Sequence, residues 1–133
     1  MQTATAPPAI PQKRPLDLTI FGVLFLLSAP VELSSIIGTG WKYPVKFFGV
    51  ELAGIWKTVW LGAHPLLHLV IGYGFLTMRR WAYYLTLLYA AEVLTSATVR
   101  FFMHGFGVWR TVFLVALTPF VIYVVWRRHY FVR

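Results

Sequence analysis

The segment that most constrains this chain runs from Leu61 to Glu92, LGAHPLLHLVIGYGFLTMRRWAYYLTLLYAAE. Two apolar runs lie on either side of Arg79-Arg80 with almost no loop between them. Such a hairpin is favourable where lipid surrounds the helices and headgroups receive the guanidinium groups. The segment therefore predicts two antiparallel membrane-spanning helices, and the rest of the chain is read around them.

Composition agrees. Of 133 residues, 59% are hydrophobic, 18% aromatic and 12% charged, against a charged quarter in an ordinary soluble domain. A water-soluble fold of this size has too little interior to hide that much apolar surface. The net charge of +8 raises nucleic acid as a partner. The basic residues, however, sit at the ends of apolar runs and form no stripe, so lipid headgroups are the expected acidic partner and nucleic acid is not. The absence of cysteine excludes disulfides, thiolate metal sites and cysteine nucleophiles within this chain.

Residues Met1 to Pro15 carry Pro7, Pro8, Pro11 and Pro15, and read as a flexible tail. Lys13-Arg14 before an apolar run superficially suits a secretory signal, but the long tail and Pro30 after Ala29 favour an uncleaved first span. Four spans are predicted, at about 16–37, 58–78, 81–103 and 108–126, giving an all-α, integral membrane four-helix bundle over 16–133. Pro30 is expected to kink the first span, and Ser28, Glu32 and Ser35 fall on one stripe that should face protein. Between Gly38 and Lys57, aromatics alternate with lysines, which predicts a short interfacial helix over about Val45 to Trp56. The rival reading is a long tilted second helix starting near Val50. Trp41, Lys42, Trp56, Arg79, Arg80, Trp81, Arg127 and Arg128 are the expected interface anchors, as is Tyr43. The tail, the central turn and the C-terminus share seven lysines and arginines against five on the other side, so both termini are expected in the cytoplasm of a multi-pass cell-membrane protein.

Ionisable side chains at membrane depth suggest function. His64 and His68 are four apart on one helix, so both rings can meet one metal ion. At about 1.5 Å per residue from the boundary at Met78 or Trp81, His68 and Glu92 both lie roughly 15 Å deep. His64, Ser96 and Glu32 lie a few residues further out. The set Glu32, His64, His68 and Glu92 is therefore the candidate metal or proton site. The competing structural reading pairs His68 with Glu92 and His64 with Ser96 as polar glue between helices. Arg100 is expected to snorkel outward, and His104 and His129 lie at boundaries. A bis-histidine haem is disfavoured because both central histidines share a helix, whereas a chlorophyll-type pigment on one histidine stays open. Gly62, Gly72 and Gly74 mark the second span for close helix approach. Tyr83, Tyr84 and Tyr89 read as anchors and packing, and Asp17 favours the first helix N-terminus. There is no phosphate loop, no nucleophile elbow and no Ser/His/Asp set in recognisable order.

Arg14-Pro15-Leu16-Asp17-Leu18-Thr19-Ile20, and Gly72-Tyr73-Gly74 followed by Arg79-Arg80-Trp81-Ala82, resemble the opening and central hairpin of small uncharacterised four-span membrane proteins of bacteria and archaea. The resemblance covers about a third of the chain and implies the topology, with no activity attached.

Three functions follow. The first is a non-enzymatic accessory subunit that packs with other integral membrane subunits of a larger complex, such as a respiratory or photosynthetic assembly, and needs no cofactor. The second is a protein that handles a metal, a haem or pigment, a quinone or protons through its intramembrane histidines and carboxylates. The third is a small-molecule carrier, which predicts an internal repeat that spans one and three barely show.

Overall fold

The computed structural model describes residues 13–42 and 44–132, apart from the side chains of Trp109 and Arg110. The expected flexible tail, up to residue 12, and the anchor at Tyr43 lie outside the described residues. Four helices run in order: α1 over Leu16–Gly38, α2 over Gly54–Thr77, α3 over Arg80–His104 and α4 over Val108–Trp126, followed by a 3-10 turn over Arg128–Tyr130. The first three are long and apolar enough to cross a membrane. α4 has 19 residues, about 28 Å at 1.5 Å per residue. Pro30, Pro65 and Pro119 lie inside α1, α2 and α4 without ending them. Each leaves the carbonyl four residues earlier without its helical N–H partner, a defect that a buried or apolar helix tolerates when neighbours support it.

Leu18, Ile71, Phe75 and Val124 form a buried core, yet the surface is apolar as well. Large apolar residues point outward, with Leu24 54%, Leu27 59% and Val31 66% exposed on α1. The buried helix faces are instead rich in small residues: Gly22 and Ala29 on α1, Gly72 and Gly74 on α2, and Ala82, Ala90 and Ala97 on α3. Small residues let helix backbones approach closely, the packing mode available where no water drives association. α1 and α2 meet at a glycine pair. A Cβ built on Gly72 would lie 2.8 Å from the Gly22 carbonyl oxygen, and one on Gly22 would lie 3.1 Å from the Gly72 carbonyl oxygen. Gly74 holds the α2–α3 turn, where a Cβ would come within 2.2 Å of Ala82 Cβ. Gly62, expected to serve the same purpose, faces open space. α1 also packs on α4, through Phe21 against Phe120 and Tyr123 with ring centroids 5.1 and 4.9 Å apart.

One end of the bundle gathers the start of α1, the α2–α3 turn and the end of α4. Arg14 donates to the Leu76 carbonyl near the C-terminus of α2, where cations are favoured, and Asp17 pairs with Arg127. Arg127 also stacks over Trp126, 4.5 Å from its ring centre. At the opposite end the expected interfacial helix does not form. In its place β1 (Lys46–Phe47) pairs antiparallel with β2 (Val50–Glu51), Lys46 opposite Glu51, around a two-residue turn. Phe48 has φ 46° and Gly49 φ 85°, the double left-handed conformation of a tight hairpin turn, which glycine adopts without strain. Gly49 is required twice, because a Cβ there would also press within 2.8 Å of Val99 on α3. α2 then starts at Gly54, so the rival long helix from Val50 is excluded as well.

Candidate metal centre

Glu32 on α1 and His64 and His68 on α2 converge where the two helices lie side by side. Their candidate ligand atoms all lie within 4.8 Å of one another. His64 Nδ1 donates to Glu32 Oε1 at 2.5 Å, and the two imidazole centroids are 4.9 Å apart. The second carboxylate oxygen, Oε2, is buried and accepts no hydrogen bond, although His68 Nδ1 stands 3.3 Å away. A buried carboxylate oxygen without a donor is costly and points to a missing positive partner.

His68 explains that orphan. The Ser28 hydroxyl donates to the Phe25 carbonyl at 2.8 Å, so Ser28 Oγ accepts Nδ1–H of His68 at 2.9 Å. On the other side of the ring, the Tyr89 hydroxyl donates to Nε2 at 2.8 Å. His68 is thus oriented from α1 and α3 together, with its Nδ1 edge turned toward Glu32. To ligate an ion through Nδ1 the ring takes the other tautomer, with Nε2–H donating to the Tyr89 oxygen, the second-nitrogen hydrogen bond typical of a ligating histidine. Ser35, placed with Ser28 and Glu32 on one protein-facing stripe, is exposed and bonds the Val31 carbonyl instead.

The fit to an ion is testable on geometry. Three donors around an ion at bond lengths of about 2.0–2.2 Å stand about 3.2–3.6 Å apart. The Oε2 to Nδ1 separation already meets this, and the His64–Glu32 pair needs to open by about 1 Å as its shared proton leaves. Two imidazole nitrogens and a carboxylate suit zinc, iron(II) and neighbouring first-row ions, whereas calcium and magnesium prefer oxygen donors. Three protein ligands leave coordination positions open, and a cavity of about 250 Å³ borders the site, with Glu32, His64, Tyr89, Glu92, Ser96 and Lys46 in its wall.

Glu92 lines that cavity but does not reach either histidine. Its Oε1 accepts the Ser96 hydroxyl at 2.9 Å and the Phe48 N–H at 3.3 Å, while the Gly49 N–H donates to Ser96 Oγ at 3.0 Å. Both expected pairs, His68 with Glu92 and His64 with Ser96, are therefore replaced: the histidines take Glu32, and Glu92 with Ser96 latches the hairpin turn onto α3. Glu92 is rotated toward the hairpin. Glu92→Ala is expected to leave the Phe48 N–H without its acceptor at a cost of about 1–3 kcal/mol, felt locally. Hydrogen exchange of the Phe48 and Gly49 amides should then accelerate while α1 and α2 keep wild-type protection; unchanged hairpin exchange would contradict the latch.

The remaining anchors lie at the ends of the helices. Trp41, Lys42, Trp56, Arg79, Arg80, Trp81 and Arg128 are exposed, Arg127 is half-buried, and His104 and His129 are exposed away from the site. Tyr89 is the residue at the candidate site that the sequence reading assigns to anchoring and packing. Its signal was its depth, since it lies three residues before Glu92 and at nearly the same level as His68. The chain matches no protein-family model, no curated protein and no solved structure.

Proposed function

We propose that this is a multi-pass membrane protein that holds a divalent transition-metal ion inside its helix bundle, on Glu32, His64 and His68. The observation that carries the reading is the convergence of two histidines and a carboxylate around a buried, donorless carboxylate oxygen. An ion with a coordination position facing a cavity is exchangeable or reactive, in contrast to the closed four-ligand shell of a structural site. A bound ion would supply Lewis acidity at that position. The protein's own part is to orient His68 through Ser28 and Tyr89, to deliver Glu32 from α1, and to wall the cavity with the hairpin.

Outward apolar faces, three helices of spanning length and small residues at the helix contacts support insertion in a bilayer. The length of α4, 19 residues, supports it as the fourth span. The bundle end that gathers Arg14, Arg79, Arg80, Arg127 and Arg128 carries the larger basic count, so it takes the cytoplasmic side of the cell membrane, with both termini there. The large apolar side chains exposed along the helices support lateral packing within a larger membrane assembly, as an accessory subunit bringing the ion site.

Protein purified in mild detergent, stripped with chelator and dialysed against zinc is expected to take up one ion per chain. Uptake should weaken as pH falls, since both imidazoles must shed protons to bind. Absence of saturable uptake of zinc, and of iron(II) under anaerobic conditions, would overturn the proposal.

A further inference from the structure

A second cavity lies on the α4 side of the same histidine. It is a cleft of about 390 Å³ between α1 and α4, within the size range of small-molecule sites. Four phenylalanines line it, Phe21, Phe25, Phe113 and Phe120, and among the described residues its hydrogen-bonding side chains are Ser28, His68 and Tyr89. Those three are bonded to one another, so the polar groups are gathered at one place in an otherwise aromatic and aliphatic wall. On its outer side Leu24, Val112 and Phe113 are 54%, 47% and 48% exposed, so the cleft opens sideways, toward lipid on the membrane reading above.

We infer that this cleft binds a lipid-soluble quinone or quinol, its ring between the phenylalanines and one ring oxygen at the Ser28–His68–Tyr89 group. Flat aromatic walls favour a planar ring, which stacks or meets them edge-on, over a flexible acyl chain. The polar group is matched to an oxygen that alternates between carbonyl and hydroxyl. With Nδ1–H of His68 given to Ser28, the Tyr89 O–H is committed to Nε2, and the Tyr89 and Ser28 oxygens can accept a quinol hydroxyl. In the other tautomer, Nε2–H is given to the Tyr89 oxygen, the Ser28 hydroxyl turns to Nδ1, and the Tyr89 O–H is free to donate to a quinone carbonyl. An acyl chain uses none of this. The inference rests on the bilayer reading and needs no bound ion: His68 is shared by both sites, and the two tautomers above are those of the ion-free ring.

The test uses full-length protein in detergent, titrated with decyl-benzoquinone and followed by quenching of tryptophan fluorescence. Saturable binding is expected in chelator-treated wild type and, undiminished, in His104→Ala, which alters an exposed residue away from the cleft. Ala116→Trp, on the exposed wall of the cleft, should weaken binding by about tenfold or more, and Tyr89→Phe by about fivefold, the worth of one hydrogen bond. Dodecanol should not compete. Circular dichroism of each variant checks that the helices persist. The inference is overturned if the wild type shows no saturable binding, if Ala116→Trp binds equally well, or if dodecanol competes as strongly as the quinone and Tyr89→Phe has no effect, which would make the cleft an acyl-chain groove. Loss of zinc uptake with retained quinone binding would sink the ion reading alone.

Discussion

Replacing His64 and His68 together with alanine should lower zinc affinity by a factor of 1,000 or more. Each imidazole is one of only three protein ligands, and Glu32 by itself is a lone carboxylate of the kind that holds such ions weakly. Neither substitution touches the glycine contacts or the arginine end, so the double variant should stay folded and monodisperse in detergent. Isothermal titration with zinc measures the change directly. Glu32→Gln tests the third ligand separately: it keeps the size and a hydrogen-bonding oxygen at the position while removing the charge. The double variant retaining wild-type affinity would place any ion elsewhere, with the exposed His104 and His129 as the first suspects.

Gly72→Leu should be the most damaging single substitution for the fold. A Cβ at that position already lies 2.8 Å from both the Gly22 carbonyl oxygen and Leu26 Cγ, so the first added atom collides with backbone that has no room to retreat. Overpacking by a methylene or two costs about 1–3 kcal/mol in a tight interior, and a full leucine adds four carbons. The expected result is separation of α1 from α2, seen as loss of the monodisperse peak in detergent chromatography and of most thermal stability. The ion site fails with it, because Glu32 comes from α1 and both histidines from α2. Gly62→Ala is the matched control. It faces open space, and alanine favours a helix interior by about 1 kcal/mol over glycine, so stability should hold or rise slightly. Equal damage from both substitutions would mean that the Gly22–Gly72 contact does not govern how α1 and α2 pack.

Much of this was legible in the chain because the features are one-dimensional. Apolar runs, the Arg79-Arg80 punctuation and the glycines near residue 105 mark where helices start and stop, and counting residues from a boundary measures depth. Depth alone brought Glu32, His64, His68 and Glu92 to neighbouring levels. Rotation is a different matter. Whether Glu32 or Glu92 turns toward His68 depends on how α1 and α3 pack against α2, and that is set partly by Gly22, a lone glycine in a leucine-rich span that gives no pattern. The hairpin was hidden for a related reason. Two-residue strands are too short to show alternation, and the Phe48-Gly49 turn carries only half of the usual signal for this turn type, a glycine without an asparagine or aspartate before it. The aromatic and lysine content of residues 38–57 speaks to a location, the membrane boundary, and is silent on whether helix or hairpin sits there. Tyr89 reads as packing because tyrosines near Trp81 suit an interface, yet it lies eight residues into the helix beyond that tryptophan, far enough along to meet His68.

The most direct measurement of the central claim is X-ray absorption at the zinc edge of the loaded, detergent-purified protein. The spectrum should contain two imidazole nitrogens and one or two oxygens at about 2.0–2.2 Å, with imidazole multiple scattering that halves in His64→Ala. A shell of oxygen alone, or an imidazole signal that His64→Ala leaves intact, would show that the ion is not held between α1 and α2.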